Sequence, residues 1–288
     1  MLASITTRRR YRLAIRGREE ALGSKTWIMG ILNVTPDSFS DGGAYPGVEA
    51  AVARGMALFE AGADIVDVGG ESTRPGSVPV DGTVERHRVV PVIEGLRKRG
   101  DGLVSVDTTK AEVGRSALDA GADMINDVSG FRFDAGMAPL VAARGVPAVV
   151  MHLRGDFGTM HHEPRYGDVM GEVVSELRGA LADAARVGVA TEQTILDPGI
   201  GFAKDRSHSL ETLRRLSELQ ALDRPVLVGP SRKSFIGRLL ELPARERLMG
   251  TAAAVAASIL GGAHIVRVHD VGEMVQVARV CDAILGEA

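Results

Sequence analysis

The sequence predicts a single α/β domain folded as a (β/α)8 barrel (a TIM barrel), and two observations carry that prediction. The first is a repeated phrase, in which an alanine-rich helical stretch ends at Gly62, Gly121 or Gly262 and an apolar run follows. Glycine is typical of the position after a helix, so each copy predicts a helix followed by a strand. The copies are separated by about two and by four to five βα units of roughly 30 residues each, which fits an eightfold repeat.

The second observation is a series of short apolar runs without strict alternation, which is typical of parallel strands buried on both faces. The predicted strands span residues 27–33, 64–69, 103–107, 124–128, 148–152, 194–197, 226–229 and 265–269. Helical patterns fill the intervals, at residues 48–60, 83–98, 110–118, 137–143, 168–187, 209–218, 232–240 with 244–260, and 272–285. Residues 1–26 are predicted as an N-terminal extension with a β-hairpin that plugs the barrel bottom, and residues 27–288 as the barrel.

A doubly wound open sheet is the rival architecture. It would place Gly-x-Gly-x-x-Gly directly after the first strand. The closest match, residues 199–204, lacks the third glycine and follows the sixth predicted strand. The sequence also contains no Gly-x-x-x-x-Gly-Lys-Ser/Thr motif, so a P-loop is excluded.

Composition bounds the class of protein. The chain has 288 residues, 45% of them hydrophobic and 25% charged, which excludes a disordered or fibrous protein. Its net charge of −3 lacks the basic excess of a nucleic-acid-binding protein. No apolar run reaches the ~18 residues of a membrane-spanning helix. Cys281 is the only cysteine, which excludes an intramolecular disulfide and favours the cytoplasm.

Polar residues follow seven of the eight predicted strands, and the remaining strand ends on glycine. In a (β/α)8 barrel these strand ends converge on one opening, where such barrels place their active sites. The residues are Asn33, Asp67 with Glu71, Asp107, Asn126 with Asp127, His152, Asp197, Gly229 and the segment after it, and Arg267 with His269 and Asp270. For Asp67, Asp127 and Asp270, a turn or a helix cap is an equally good interpretation.

The first candidate group consists of Asp107, Asn126, Asp197 and Lys233. Carboxylates accept paired hydrogen bonds, and an amide both donates and accepts them, so this set suits a flat heterocycle with several N–H donors. A structural ion pair between Lys233 and one of the aspartates is the alternative.

The second group consists of Asn33, Arg267 and His269. Arg267 and His269 share one face of the last strand, and a helix N-terminus that favours an anion follows them. We expect a diphosphate here, with Mg²⁺ held by Asn33 and phosphate oxygens, because Mg²⁺ usually takes few protein ligands. A hydrogen-bonded core histidine is the alternative for His269.

Two loops, residues 35–43 and 71–77, are long enough to act as lids, with Phe39 and Arg74 closing over a substrate. Flexible solvated loops are the alternative. A metal site at His161-His162-Glu163 is disfavoured because adjacent histidines diverge and Pro164 follows.

Five motifs together resemble the dihydropteroate synthase family. They are Met29-Gly-Ile-Leu-Asn-Val-Thr-Pro-Asp-Ser-Phe-Ser-Asp-Gly-Gly43, Asp67-Val-Gly-Gly-Glu-Ser-Thr-Arg-Pro-Gly76, Ile195-Leu-Asp-Pro-Gly-Ile-Gly-Phe202, Ser231-Arg-Lys-Ser-Phe-Ile-Gly237 and Arg267-Val-His-Asp-Val271. The resemblance implies a pterin-binding barrel, commonly dimeric, that acts in folate synthesis. It implies that 7,8-dihydropterin-6-ylmethyl diphosphate reacts with 4-aminobenzoate to give 7,8-dihydropteroate and diphosphate.

The resemblance also implies roles for individual residues. Pterin contacts fall to Asp107, Asn126, Met151, Asp197, Phe202, Gly229 and Lys233. Diphosphate contacts fall to Asn33, Arg74, Arg267 and His269, with Mg²⁺ on Asn33. Aminobenzoate contacts fall to Phe39, Thr73, Pro75 and Ser234, and catalytic roles to Asp41, Lys233, Arg267 and His269.

Two other functions stay open at this point. A barrel that transfers a methyl group from a folate to a corrinoid protein would share the pterin carboxylates. It would need neither the loops nor the diphosphate site, which argues against it. A non-catalytic pterin-binding paralogue is disfavoured by the intact loops.

Overall fold

Eight parallel strands alternate with helices along the chain, as the sequence predicts. The computed structural model describes residues 8–35, 44–72, 79–160 and 165–287. The barrel strands are β3 (Trp27–Asn33), β4 (Ile65–Gly69), β5 (Leu103–Asp107), β6 (Met124–Asp127), β7 (Ala148–Met151), β8 (Thr194–Asp197), β9 (Leu227–Val228) and β10 (Ile265–Val268), and β1 (Tyr11–Ile15) and β2 (Arg18–Leu22) precede them. Each barrel strand agrees with a predicted strand to within a residue or two at its ends, and β1 and β2 form the predicted hairpin.

The strands close into a barrel. Hydrogen-bonded pairing runs in the order β8-β7-β6-β5-β4-β3-β10-β9, and every pair is parallel. A bridge between Leu196 and Val226 joins the two ends of this sheet, and the amide N–H of Leu196 donates to the carbonyl oxygen of Pro225 at 2.9 Å.

The helices surround the barrel. They are α1 (Ala44–Glu60), α2 (Gly82–Arg99), α3 (Ala111–Asp119), α4 (Met137–Arg144), α5 (Val169–Arg186), α6 (Arg206–Arg214), α7 (Ser234–Leu240), α8 (Leu248–Leu260) and α9 (Val271–Ile284). No helix among the described residues is both long and apolar enough to cross a membrane.

Four helix starts differ from the prediction by two to four residues. The α1 helix begins at Ala44 rather than at residue 48, and α8 begins at Leu248 rather than at residue 244. The other two differ for local reasons. The α6 helix begins at Arg206 rather than at residue 209, because the Asp205 side chain caps it by accepting from the amide N–H of His208. The α7 helix begins at Ser234 rather than at residue 232, because Arg232 has a left-handed φ of 57° that a right-handed helix excludes.

The barrel interior is apolar at the bottom and polar at the top. Alternate residues of a strand point inward, so β4 places Ile65, Asp67 and Gly69 toward the axis. The bottom layer joins the hairpin in one buried cluster of Leu13, Ile15, Leu22, Trp27, Met29, Ile65, Met124, Val149, Ile195, Leu227 and Ile265. The N-terminal hairpin therefore plugs the barrel, as predicted, and the opposite end carries the polar residues.

Candidate active site

The carboxyl ends of the strands bring most of the predicted site residues to one opening. Asn33, Gly69, Asp107 and Asn126 lie in register across β3 to β6, and Met151 of β7 is paired with Asp197 of β8. Arg267 lies on β10, one residue before that strand ends. All of these occupy inward positions, because each lies an even number of residues from an interior apolar side chain of its own strand.

Arg267 connects two buried carboxylates across the barrel. Its Nε donates to Oδ2 of Asp67 at 2.6 Å, and its Nη2 donates to Oδ2 of Asp107 at 2.6 Å. The Asn126 amide also donates to Oδ2 of Asp67, at 2.9 Å. The predicted diphosphate residue Arg267 and the predicted pterin residue Asp107 therefore belong to one hydrogen-bonded network. Guanidinium has further N–H donors for an anion.

The other side of the opening holds Asp197, Phe202 and Lys233. The Lys233 ammonium lies 3.9 Å from the centre of the Phe202 ring, in a cation–π arrangement. Oδ1 of Asp197 accepts from the amide N–H of Gly199 at 2.7 Å. Met151 is buried in an apolar cluster against which Phe202 packs, so this side of the opening is apolar.

Burial and charge shift the pKa values of these groups in opposite directions. Burial raises the pKa of Asp107 and of Asp197, while Arg267 near the first and Lys233 near the second lower them. Burial lowers the pKa of Lys233, and Asp197 raises it. The opening is therefore a desolvated site in which two carboxylates face two cations, a setting in which hydrogen bonds to a bound ring are strong.

His269 is oriented by Ser231. The Ser231 hydroxyl oxygen accepts from the backbone amide N–H of His269 at 3.2 Å and lies 3.0 Å from its Nδ1. The hydroxyl has one proton and a second acceptor lone pair, so it can pair with either tautomer of the His269 ring. The α9 helix begins at Val271, two residues beyond His269.

The donor set suits Mg²⁺ only as an ion carried largely by phosphate. Asn33 is half-buried at the end of β3, in register with Gly69 of β4, and β3 also pairs with β10, the strand of Arg267. Within the described part of the chain, no group of three or more histidine, cysteine, aspartate or glutamate side chains is placed to hold a metal. Mg²⁺ commonly takes one or two protein ligands and completes its shell with phosphate oxygens and water, so Asn33 fits as a protein ligand.

The predicted loop residues Phe39, Asp41, Thr73, Arg74 and Pro75 lie outside the described residues. The base of the second loop is described. Glu71 before it accepts from the amide N–H of Val80 after it, at 2.7 Å, and Lys110 donates to Glu71 at 2.7 Å and to Glu85 at 2.6 Å.

Several strand-end residues serve the scaffold instead. Asp127 points outward and accepts from the Ser129 hydroxyl at 2.7 Å, which shapes the turn after β6. Asp270 accepts from Nε of Arg232 at 3.0 Å. His152 also points outward, toward α5. Of the predicted pterin and aminobenzoate residues, Gly229 lies beside Arg267, and Ser234 is exposed at the first residue of α7.

Sequence reasoning missed the partners of these residues. The link from Asp67 to Arg267 spans much of the chain, and only the inward position of Asp67 on its strand could have suggested it. Ser231 begins one of the five motifs, but nothing in the sequence indicates that it contacts His269. Lys204 carried no signal, because it lies in an irregular loop.

Residues 29–269 match the model of the pterin binding enzyme family. A dihydropteroate synthase of Synechocystis is 48% identical over 264 residues, which are 91% of this chain and 91% of that protein. The chain belongs to the dihydropteroate synthase family. Its members are transferases of folate synthesis, and the family membership expected from the five motifs is thereby confirmed.

Solved structures of the family agree with the fold. Xanthomonas albilineans dihydropteroate synthase with 4-aminobenzoic acid has a TM-score of 0.89 at 43% identity, covering 96% of this chain and 98% of that one. The same enzyme in complex with 7,8-dihydropteroate has a TM-score of 0.85 at 41% identity, covering 95% and 98%. The (β/α)8 barrel prediction is confirmed, and the roles of individual site residues stay predictions.

Proposed function

We propose that this protein joins 7,8-dihydropterin-6-ylmethyl diphosphate to 4-aminobenzoate and releases 7,8-dihydropteroate and diphosphate. One observation supports this activity above the others. A single opening holds a carboxylate and amide set suited to a flat ring, next to an arginine and a histidine suited to an anion. The ligands named in the two Xanthomonas structures are one substrate and the product of this reaction.

The ring would lie between Asp107 with Asn126 and Asp197 with Lys233. The carboxylates accept from the N–H groups of the ring, and Lys233 donates to a ring acceptor. Met151 and Phe202 supply an apolar face against the ring. Gly229 has no side chain and so leaves space for the ring. Charge–dipole contacts in a buried site bind more strongly than the same contacts in water, so this set fixes the orientation of the ring.

The reaction breaks the bond between the methylene carbon and the diphosphate oxygen, and the electron pair leaves with the oxygen. The electron-rich dihydropterin stabilises the resulting cation, so an SN1-like path suits a site without an obvious nucleophile. Arg267, His269 and the start of α9 stabilise the charge that grows on the leaving group. Mg²⁺, when bound through Asn33, would neutralise part of the diphosphate charge.

The amino nitrogen of aminobenzoate then forms the new carbon–nitrogen bond and loses a proton. Ser234 is exposed at the opening and can donate to the aminobenzoate carboxylate. From the family resemblance we predict that Asp41 accepts the amine proton, that Phe39, Thr73 and Pro75 contact aminobenzoate, and that Arg74 contacts diphosphate.

The test is turnover by the purified protein. With both substrates and Mg²⁺, we expect stoichiometric release of diphosphate and dihydropteroate, and no dihydropteroate when aminobenzoate is omitted. If the purified protein forms no dihydropteroate under conditions in which an active family member does, the proposal is contradicted. Pterin binding without turnover would favour a binding paralogue, and methyl transfer from a folate to a corrinoid protein would favour the rival barrel enzyme.

We further propose that the protein works in the cytoplasm as a homodimer. The lone cysteine supports a reducing compartment. Five of the eight exposed large hydrophobic side chains among the described residues lie on α7, α8 and α9, which supports a partner surface there. They are Leu239, Leu240, Met249, Val280 and Ile284.

A further inference from the structure

The loop at residues 198–204 has a costly backbone conformation. It follows Asp197, carries Phe202 and ends at Lys204. Gly199 and Gly201 have φ values of 69° and 76°, and Ala203 has a φ of 46°, which is unfavourable for a residue with a Cβ. A loop of this kind keeps one conformation only when the surrounding structure holds it.

Lys204, at the end of this loop, is a buried charged residue. It is 6% exposed, and its Nζ lies 2.8 Å from Nδ1 of His152 and 3.4 Å from the carbonyl oxygen of Phe202. A protonated lysine only donates, so Nδ1 of His152 accepts and the histidine proton is on Nε2. Burial lowers the pKa of His152 to about 4, which keeps the ring neutral for this role.

His152 connects Lys204 to helix α5 through a second hydrogen bond. Its Nε2 lies 3.0 Å from Oε2 of Glu176, and that carboxylate also accepts from Nε of Arg154 at 2.9 Å. Lys204, His152 and Glu176 therefore form a chain of hydrogen bonds from the loop to α5. A second restraint is the Tyr166 hydroxyl, which donates to the carbonyl oxygen of Ala203 at 2.9 Å.

The same histidine also contacts the start of the loop. Its backbone amide N–H donates to the carbonyl oxygen of Asp197 at 2.9 Å. A Cβ at Gly199 would lie 2.0 Å from the carbonyl oxygen of His152, so only glycine fits there. Backbone contacts of His152 thus hold the beginning of the loop, and its side chain holds the end.

We propose that Lys204 is a positioning residue for pterin binding, which holds the loop so that Phe202 and Asp197 face the Lys233 ammonium. This inference rests on the proposed function. Lys204 does not line the opening itself; it acts through His152 and through the loop backbone.

Lys204 also contributes charge to the site. The charged or titratable groups that face it are Asp197, Lys233, His152, Arg154, Tyr166 and Glu176. Burial lowers the pKa of Lys204 to about 7, so its side chain carries a positive charge below that pH. In that range the charge lowers the pKa of Asp197 and favours the carboxylate form that would accept from the pterin ring. Removing that charge raises the pKa of Asp197, and the loss of binding at acid pH then begins at a higher pH.

The test compares Lys204→Met, which keeps the length of the side chain, with Lys25→Met as a control. Lys25 is exposed and pairs with Asp64 near the barrel bottom. For Lys204→Met we expect the KM for the pterin substrate to rise about tenfold, the scale of a lost charged hydrogen bond, with the KM for aminobenzoate unchanged. The acid limb of pterin affinity, measured by calorimetry, should move up by on the order of half a pH unit.

Glu176→Gln supplies a second variant at an exposed end of the same chain of hydrogen bonds, with the exposed Glu192→Gln as its control. We expect a smaller, pterin-specific rise in KM. Because both changes act through His152, Glu176→Gln should add nothing in the Lys204→Met background. If Lys204→Met does not fold, this variant decides the question.

Three outcomes would overturn the inference. They are an unchanged pterin KM, an equal rise in both KM values, and an acid limb that stays in place while affinity falls equally at every pH. The last two describe a merely structural residue. An inactive wild-type protein would count against the proposed function, whereas an active wild-type protein with an unaffected Lys204→Met would count against this inference alone.

Discussion

At the scale of single residues, the site is built from charges that depend on one another. Asp67 is fully buried, and its partners are Arg267 and Asn126. Removing one member of such a cluster leaves its neighbours buried and unpaired, which commonly costs more than the interaction itself contributed. Substitution of Arg267 therefore cannot separate binding from folding, whereas Asp197, at the edge of the cluster, can report on binding.

Asp197→Asn should weaken pterin binding while the protein stays folded. The amide keeps the shape of the side chain but loses the charge, and losing a charged hydrogen bond costs about 1–3 kcal/mol. Calorimetric titration with a pterin ligand measures the change directly. Asp168→Asn, at an exposed residue before α5, is the matched control. Wild-type affinity in Asp197→Asn, with an unchanged melting temperature, would remove this residue from the pterin site.

At the scale of elements, the strands were predictable and the loops were not. Asp107, Asn126 and Asp197 could be assigned because an apolar run fixes the strand, and alternation along the strand fixes the direction of its last side chain. The roles of Lys204 and Ser231 depend on backbone turns with left-handed residues, such as Ala203 and Arg232, which hydrophobic periodicity does not encode. Hydrophobic periodicity therefore predicts the barrel and the polar residues at its opening. The conformation of the loops that carry some of those residues depends on contacts between residues far apart in the sequence.

A buried histidine that contacts the segment ahead of the N-terminal hairpin should make the stability of the protein depend on pH. Nε2 of His264, on the segment before β10, lies 2.9 Å from the carbonyl oxygen of Arg9, and its Nδ1 accepts from the amide N–H of Val226 at 3.1 Å. Burial lowers the pKa of His264 from 6.5 to about 4. As the pH falls below 6.5, His264 is protonated in the unfolded chain but stays neutral in the folded protein. The unfolding free energy that is present above pH 6.5 is therefore lost as the pH falls toward 4.

We expect His264→Gln to reduce this pH dependence. Glutamine can still donate and accept but does not titrate, so the loss of unfolding free energy between pH 7 and pH 5 should be about 2 kcal/mol smaller than in the wild type. Urea denaturation at both pH values measures it. His152, whose pKa burial also lowers to about 4, should leave a residual slope in the variant. Equal slopes in both proteins would show that His264 does not titrate in this way.

At the scale of the whole molecule, stability and chemistry occupy opposite ends of the barrel. The bottom is closed by the hairpin, and Arg8 ahead of it donates to Asp282 of α9 at 2.6 Å and to the Thr26 hydroxyl at 2.6 Å. The top carries the charged cluster around Arg267. Because the barrel strands and the surrounding helices separate the two ends, changes at the bottom should alter the melting temperature while leaving the substrate KM values in place.

The outer surface supplies the last prediction, which concerns the proposed homodimer. Met249 at the start of α8 is 79% exposed, and Val280 on the neighbouring α9 is 62% exposed. A stable dimer buries about 800 Å² per partner around an apolar centre. We expect the wild-type protein to sediment as a dimer at micromolar concentration, and Met249→Glu to weaken the dimer by at least about tenfold in Kd, because it places a charge at that centre. Val84→Glu, at a 43% exposed residue of α2, should leave sedimentation unchanged. A monomeric wild type, or a dimer that Val84→Glu disrupts and Met249→Glu does not, would move the partner surface away from α7, α8 and α9.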